Sequence, residues 1–179
     1  KSKINKNILN YAQKKLMKAR HFIASIEYDE LVTFSFTDSK NCEVFGDINN
    51  LKIVNPISEE LDILRPNLLP NLLQAIKKNK NRNFDSFSIF EIGSQYRSTS
   101  PEDQLNVACG IKSGIKTEKS WKNKQTEFDI YDAKQDLTSL IDYLVPGNKK
   151  ISIYNECPSW YHPGRSGSIK INNSVIAGY

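Results

Sequence analysis

The spacing of apolar residues changes character several times along the chain. From residue 3 to residue 26 they recur three or four apart, at Ile8, Tyr11, Leu16, Ala19, Phe22 and Ile26, which predicts one amphipathic helix with lysines on its opposite face. Leu31 to Phe36 concentrates β-branched and aromatic residues and predicts a strand. Thr37 or Asp38 then caps a short helix ending near Gly46. Leu51 to Val54 reads as a short strand stopped by Asn55-Pro56, and Ser58-Glu59-Glu60 leads into Leu61 to Arg65.

A second amphipathic helix is predicted from Leu68 to Lys78, with Pro70 in its first turn. Ser86 to Tyr96 and Leu105 to Lys112 are strand-like and enclose a polar loop, so they predict a long antiparallel hairpin. Residues 113 to 127 are polar and lysine-rich around Trp121 and belong on the surface. A helix follows from Ala133 to Leu144, stopped by Pro146-Gly147, and Ile151 to Tyr154 is a strand. Ser168 to Ile171 and Ser174 to Ala177 flank Asn172-Asn173, a dipeptide that tolerates the positive φ angles of a tight hairpin turn. The order of elements predicts an α+β fold, an antiparallel sheet with helices on one side, and not the regular alternation of a parallel sheet.

Length and composition narrow the class. The chain has 179 residues, of which 39% are hydrophobic and 25% charged, so one domain with a sizeable core is expected. The apolar runs are too short to span a bilayer, and a secretory signal pattern is absent, so a cytoplasmic protein is expected. Lys1 at the start and the apolar run Val175-Ile176-Ala177 at the finish suggest a piece of a longer polypeptide, truncated at its C-terminal end.

The net charge of +5 is local in origin. Residues 1 to 26 hold seven Lys or Arg and residues 77 to 82 hold four more, with no acid in either segment. Such segments suit an RNA backbone, an acidic protein or a solvated helix face. Twenty Lys against five Arg weighs against a dedicated base reader, because bidentate recognition favours the guanidinium.

Candidate chemistry is sparse. Cys42, Cys109 and Cys157 are widely spaced and only His21 and His162 accompany them, so neither a zinc site nor a disulfide framework is expected. No glycine-rich phosphate loop occurs. Asp129 and Asp132 can bind a cation or cap the helix that follows, and capping is the simpler reading. In His162-Pro163-Gly164-Arg165-Ser166-Gly167, His162 could act as a base and Arg165 as an anion clamp, but no acid orients the imidazole and a rigid turn is preferred. Arg97 ends a strand at a loop, a position from which an arginine reaches a nucleotide phosphate.

Several segments taken in order resemble a known family. Leu31 to Phe36, Asn55-Pro56-Ile57-Ser58-Glu59-Glu60-Leu61, Leu64-Arg65 with Leu68-Leu69-Pro70, Ile89-Phe90-Glu91-Ile92-Gly93, Asp129-x-Tyr131-Asp132-x-Lys134 and His162 to Ser166 are similar to the synthetase-like core of the bacterial phenylalanyl-tRNA synthetase beta subunit. The resemblance covers nearly the whole chain. It implies a class II synthetase-like fold in which the first helix and strand serve subunit association, so Ile8, Tyr11, Leu16 and Phe22 are expected at an interface.

It also implies a catalytically silent module spanning residues 1 to 179, packed against a catalytic alpha subunit in an (αβ)2 tetramer that acts on tRNA(Phe). ATP and Mg2+ are implied for the whole enzyme, with no cofactor, metal ligand or catalytic residue in this piece. Arg97 stands where an active relative carries its motif 2 arginine, but Ser98-Thr99 follows without the expected acid. The sequence departs from the family at Glu27 and Asn71, where glycine is common, and at Gly167, where alanine is typical. Two alternatives remain: an independently active adenylate-forming domain using Arg97, and a generic basic RNA-binding module.

Overall fold

The computed structural model describes residues 9–147 and 150–179. Helix α1 spans Tyr11–Ser25. It begins later than the periodicity suggests because Asn10 and Gln13 form a reciprocal capping box there, satisfying two otherwise orphaned backbone donors. Ile8 lies outside the described residues. Beyond α1, Glu27 takes the left-handed conformation at φ 67, the backbone that makes glycine the usual residue at such a helix exit.

Strand β1, Asp29–Glu30, pairs in parallel with Ile89 and Phe90, and the Leu31 N–H extends that pairing to the Phe90 carbonyl. The expected continuous strand over 31 to 36 stops there. The chain leaves the sheet and resumes as β2, Phe36–Thr37, antiparallel to β3, Ile63–Leu64. Between β2 and β3 the chain makes short 3-10 turns, the first capped by Asp38 and the second closed at Gly46, where one short helix is expected. The expected strand at 51 to 54 is reduced to a bridge between Lys52 and Ile63. Cys42, Leu51 and Ile63 form a small buried cluster under these turns.

Helix α2, Leu69–Lys80, has Pro70 in its first turn and three lysines in its last, where cations meet the negative end of the helix dipole. Strands β4, Phe87–Tyr96, and β5, Gln104–Ser113, form the predicted hairpin with ten register pairs. A short pair, β6 at Ile115–Thr117 and β7 at Thr126–Glu127, precedes α3 at Ile130–Leu144. Asp129 caps α3, and Asp132 closes the box from within while also pairing with Lys116. Strands β8, Ile151–Tyr154, β9, Ser168–Ile171, and β10, Ser174–Gly178, form a separate three-stranded antiparallel sheet. Its last turn uses Asn172 and Asn173 at positive φ, as the dipeptide predicts.

The helices are not all on one side, contrary to expectation. Leu72 and Ile76 of α2 pack with Ile89 and Ile111 on one face of the hairpin. The other face carries Phe90 and Gly110, against which Tyr28 lies edge-on, and Tyr28 and Lys112 both donate to Asp136 of α3. Helix α1 joins that layer through Phe22, stacked on Tyr143. A strand buried on both faces loses clean alternation, which is why Ile89-Phe90-Glu91 gave no sign of which side its helices would take.

Glu91 is the buried centre of the structure. Its carboxylate accepts from Arg65 Nη1 at 2.7 Å and from Thr33 Oγ1 at 2.7 Å, with both charged side chains almost wholly buried. Arg65 Nε donates to the Ser94 carbonyl at 2.8 Å, and its own carbonyl accepts from the Tyr96 N–H. The Thr33 hydroxyl also accepts from Arg65 and from Asn71 Nδ2, and Asn71 donates to the Phe34 carbonyl. A side chain on Gly93 would collide with the Arg65 guanidinium. The motif residues Arg65, Glu91 and Gly93, distant in sequence, are therefore parts of one device.

Two outcomes follow for stability. Glu27→Gly removes the left-handed strain, so it should stabilise the fold by about 0.5–1 kcal/mol after allowing for the looser unfolded chain, read as a higher urea midpoint at unchanged slope. Arg65→Met strands a buried carboxylate and should cost about 3–5 kcal/mol, whereas the double variant Arg65→Met, Glu91→Leu should cost less than the single one. A double-mutant cycle read from urea unfolding measures that coupling.

Candidate functional site

Thr33 is drawn inward by Glu91, and in an extended segment the neighbouring side chains then face the opposite way. Val32 is 89% exposed and Phe34 71% exposed. Both line an open groove together with Leu73, Glu60, Lys77 and Lys78, so an apolar floor is flanked by charge of both signs. Val54 and Ile57, on the adjoining turn-rich segment, are also almost fully exposed. Exposed apolar side chains concentrated in this way mark interaction surfaces.

The expected interface residues of the first helix divide differently. Tyr11 is 82% exposed and free to meet a partner, and Leu16 is half-buried. Phe22 stacks on Tyr143 of α3 with ring centroids 5.0 Å apart, so much of its surface is already used within the chain.

Arg97 is exposed immediately after β4, at the start of the loop to β5. Its N–H donates to the Asp103 carbonyl at 3.2 Å, while its guanidinium makes no ion pair or hydrogen bond among the described residues. Ser98 donates to the Asp103 carboxylate at 2.6 Å and accepts from the Ser100 N–H, which closes the loop on itself. Asp103, one of the two acids of that loop, is thereby engaged with a serine.

His162, Pro163, Gly164 and Arg165 are exposed and form a turn held by its own groups. His162 Nδ1 accepts from the Gly164 N–H at 3.1 Å, and its carbonyl accepts from the Arg165 N–H and the Ser166 hydroxyl. One imidazole nitrogen is thus occupied by the backbone. Trp160, just before the turn, packs on Phe45 and ties the C-terminal sheet to the 3-10 turns.

A cleft of about 880 Å³ runs between β5 and the C-terminal sheet, lined by Tyr28, Cys109, Lys112, Cys157 and Tyr161 among others. Burial pushes the Cys109 thiol up to about 12, with the Glu91 charge adding to the effect. Burial likewise raises the Tyr161 phenol to about 12, and raises Tyr28 still further with help from Asp136. Cys42, in its own cluster, rises to about 11 for the same reason. Groups shifted this way stay protonated at neutral pH and make poor nucleophiles. Among the described residues no three His, Cys, Asp or Glu side chains converge to hold a metal ion, and no helix is long and apolar enough to cross a membrane.

Arg65 and Glu91 are motif residues to which the sequence alone assigns no role. The signal was available: Glu91 is the lone acid between Ile89-Phe90 and Ile92, and Arg65 follows Ile63-Leu64. A charge in an apolar strand implies a buried partner, but only the fold identifies which one.

Comparison with known proteins accords with this arrangement. The chain matches over residues 1–179 the model described as the phenylalanyl tRNA synthetase beta chain CLM domain. It is 35% identical over 177 residues to the phenylalanine–tRNA ligase beta subunit of Bartonella henselae, covering 96% of this chain and 22% of that protein. It is 31% identical over 175 residues to the beta subunit of Rhodospirillum rubrum, covering 97% of this chain and again 22% of the relative. The chain thus spans about a fifth of the length of these relatives. Among solved structures, a pyrrolysyl tRNA synthetase from Desulfitobacterium hafniense aligns over 94% of this chain and 57% of that chain with a TM-score of 0.62. At 14% identity that likeness is one of fold. With a family model matching from end to end and the motif residues Arg65, Glu91 and Gly93 joined in one buried network, the chain belongs to the phenylalanyl tRNA synthetase beta chain CLM domain family.

Proposed function

We propose that this chain is a non-catalytic, class II synthetase-like module of a phenylalanine–tRNA ligase beta subunit. It supports ATP-dependent attachment of phenylalanine to tRNA(Phe) by docking the catalytic alpha subunit in an (αβ)2 assembly in the cytoplasm. ATP and Mg2+ act at the alpha subunit in this reading. The observation that carries it is the Thr33 anchor, which turns Val32 and Phe34 outward on a segment leading directly from α1. Full burial of such side chains contributes about 1.5–3 kcal/mol each, part of which is offset by the cost of association.

The loop after Arg97 supports a silent role, since the Ser98–Asp103 bond closes it on itself instead of presenting that acid to a ligand. Specific support for the competing reading, an adenylate-forming site, is limited to the unpaired guanidinium of Arg97.

Changing Val32 and Phe34 together to Asp should weaken assembly of the complete beta subunit with alpha by about 100-fold or more, read by analytical ultracentrifugation. The melting temperature should hold, because both side chains face solvent. Unchanged assembly would show that this face is not the interface, and Tyr11→Glu then tests the first helix without disturbing the Phe22 stack. In the assembled enzyme, Arg97→Ala should leave aminoacylation within twofold of wild type. A loss of tenfold or more would instead favour a nucleotide role for Arg97.

A further inference from the structure

The hairpin formed by β6 and β7 carries a tip that neither the core nor the docking face uses. Its residues 118 to 125 are all exposed, and Trp121 is 97% exposed. Lys119, Lys122 and Lys124 surround it with only Glu118 opposing them, and none of the three lysines makes an ion pair among the described residues. The tip is ordered by its own bonds. The Ser120 N–H donates to the Asn123 carbonyl at 3.0 Å, and the Ser120 hydroxyl accepts from the Lys122 and Asn123 N–H groups. Trp121 is thereby held at the apex of a turn instead of folding back on the sheet.

We infer that this hairpin tip is an RNA contact, with the Trp121 indole stacking on an unpaired base and Lys119, Lys122 and Lys124 facing the adjoining phosphates. An indole gains from any base because every base has a π-face, and lysines attract phosphate without reading sequence. That combination fits the scarcity of arginine in this chain, since positioning on a backbone does not require a bidentate fork. A protein partner fits less well. Binding hot spots sit within a ring of contacts that excludes water, and Trp121 is the lone apolar residue of the tip. A preformed turn also lowers the ordering cost of an otherwise small contact.

The inference rests on the proposed membership of a tRNA-charging assembly, and the test separates the two. Complete beta subunit assembled with alpha is titrated with a tRNA(Phe) transcript across a salt series, as wild type, Trp121→Ala, and the triple variant Lys119→Ala, Lys122→Ala, Lys124→Ala. Trp121→Ala should weaken binding about 5- to 150-fold, the range spanned by loss of one base–aromatic stack. The triple variant should lower the slope of log K against log salt by about two, as three contacts to single-stranded phosphates imply. Thermal melting should be the same for all three proteins, since every altered side chain is exposed.

Affinity within twofold of wild type together with an unchanged slope would overturn the hairpin's role and leave the assembly reading intact. A wild-type complex that does not bind tRNA would overturn both. Variants that lose alpha-subunit assembly but bind tRNA normally once assembled at high concentration would reassign the tip to a protein contact and also overturn the inference.

Discussion

The Arg65–Glu91 ion pair is the constraint on which the arrangement of this chain depends. Two charges removed from water are costly unless they are hydrogen-bonded as well as paired, and here Thr33 and Ser94 bond the pair while Asn71 holds Thr33. The network binds four separate stretches: the segment after β1, the strand β3 region, the start of α2 and the middle of β4. No apolar contact of comparable size could fix their register as narrowly, because hydrophobic packing tolerates sliding that hydrogen-bond geometry does not.

The exposed apolar face follows from that constraint. A threonine drawn to a buried carboxylate interrupts β-pairing after Leu31 and turns its neighbours outward. The apolar surface at Val32 and Phe34 is thus an effect of interior chemistry, not of a local preference for exposure. On the other side of the hairpin, Lys112 and Tyr28 share Asp136 at 2.7 and 2.9 Å, which fastens α3 to β5 by a second polar link. The sheet is clamped from both faces, and its surface features project from a fixed frame.

The family departures also acquire physical meaning. Asn71, where the resemblance leads one to expect glycine, places its amide on Thr33 and on the Phe34 carbonyl, so the larger residue adds a strut to the central network. Glu27 adopts the left-handed backbone that a glycine would take at little cost. At Gly167 an added Cβ would stand 2.5 Å from the Tyr179 hydroxyl oxygen, while the two residues exchange backbone hydrogen bonds at 2.9 Å. Glycine there allows the aromatic ring to lie across the strand end.

Local signals in the sequence were sufficient for α2, α3, the β4–β5 hairpin, the Asn172-Asn173 turn and the capping role of Asp129 and Asp132. Each depends on residues close in the chain, through periodicity, caps and turn chemistry. The motif order was enough to indicate the family. Tertiary structure alone decided that the helices occupy both faces of the hairpin, that the run from Leu31 to Phe36 leaves the sheet after Leu31, and that Phe22 is partly used inside the chain. It also decided that Arg65 and Glu91, 26 residues apart, are partners. The reason is common to all four: a buried charge or ring announces that it needs a companion, but which companion it meets depends on how distant segments are folded together.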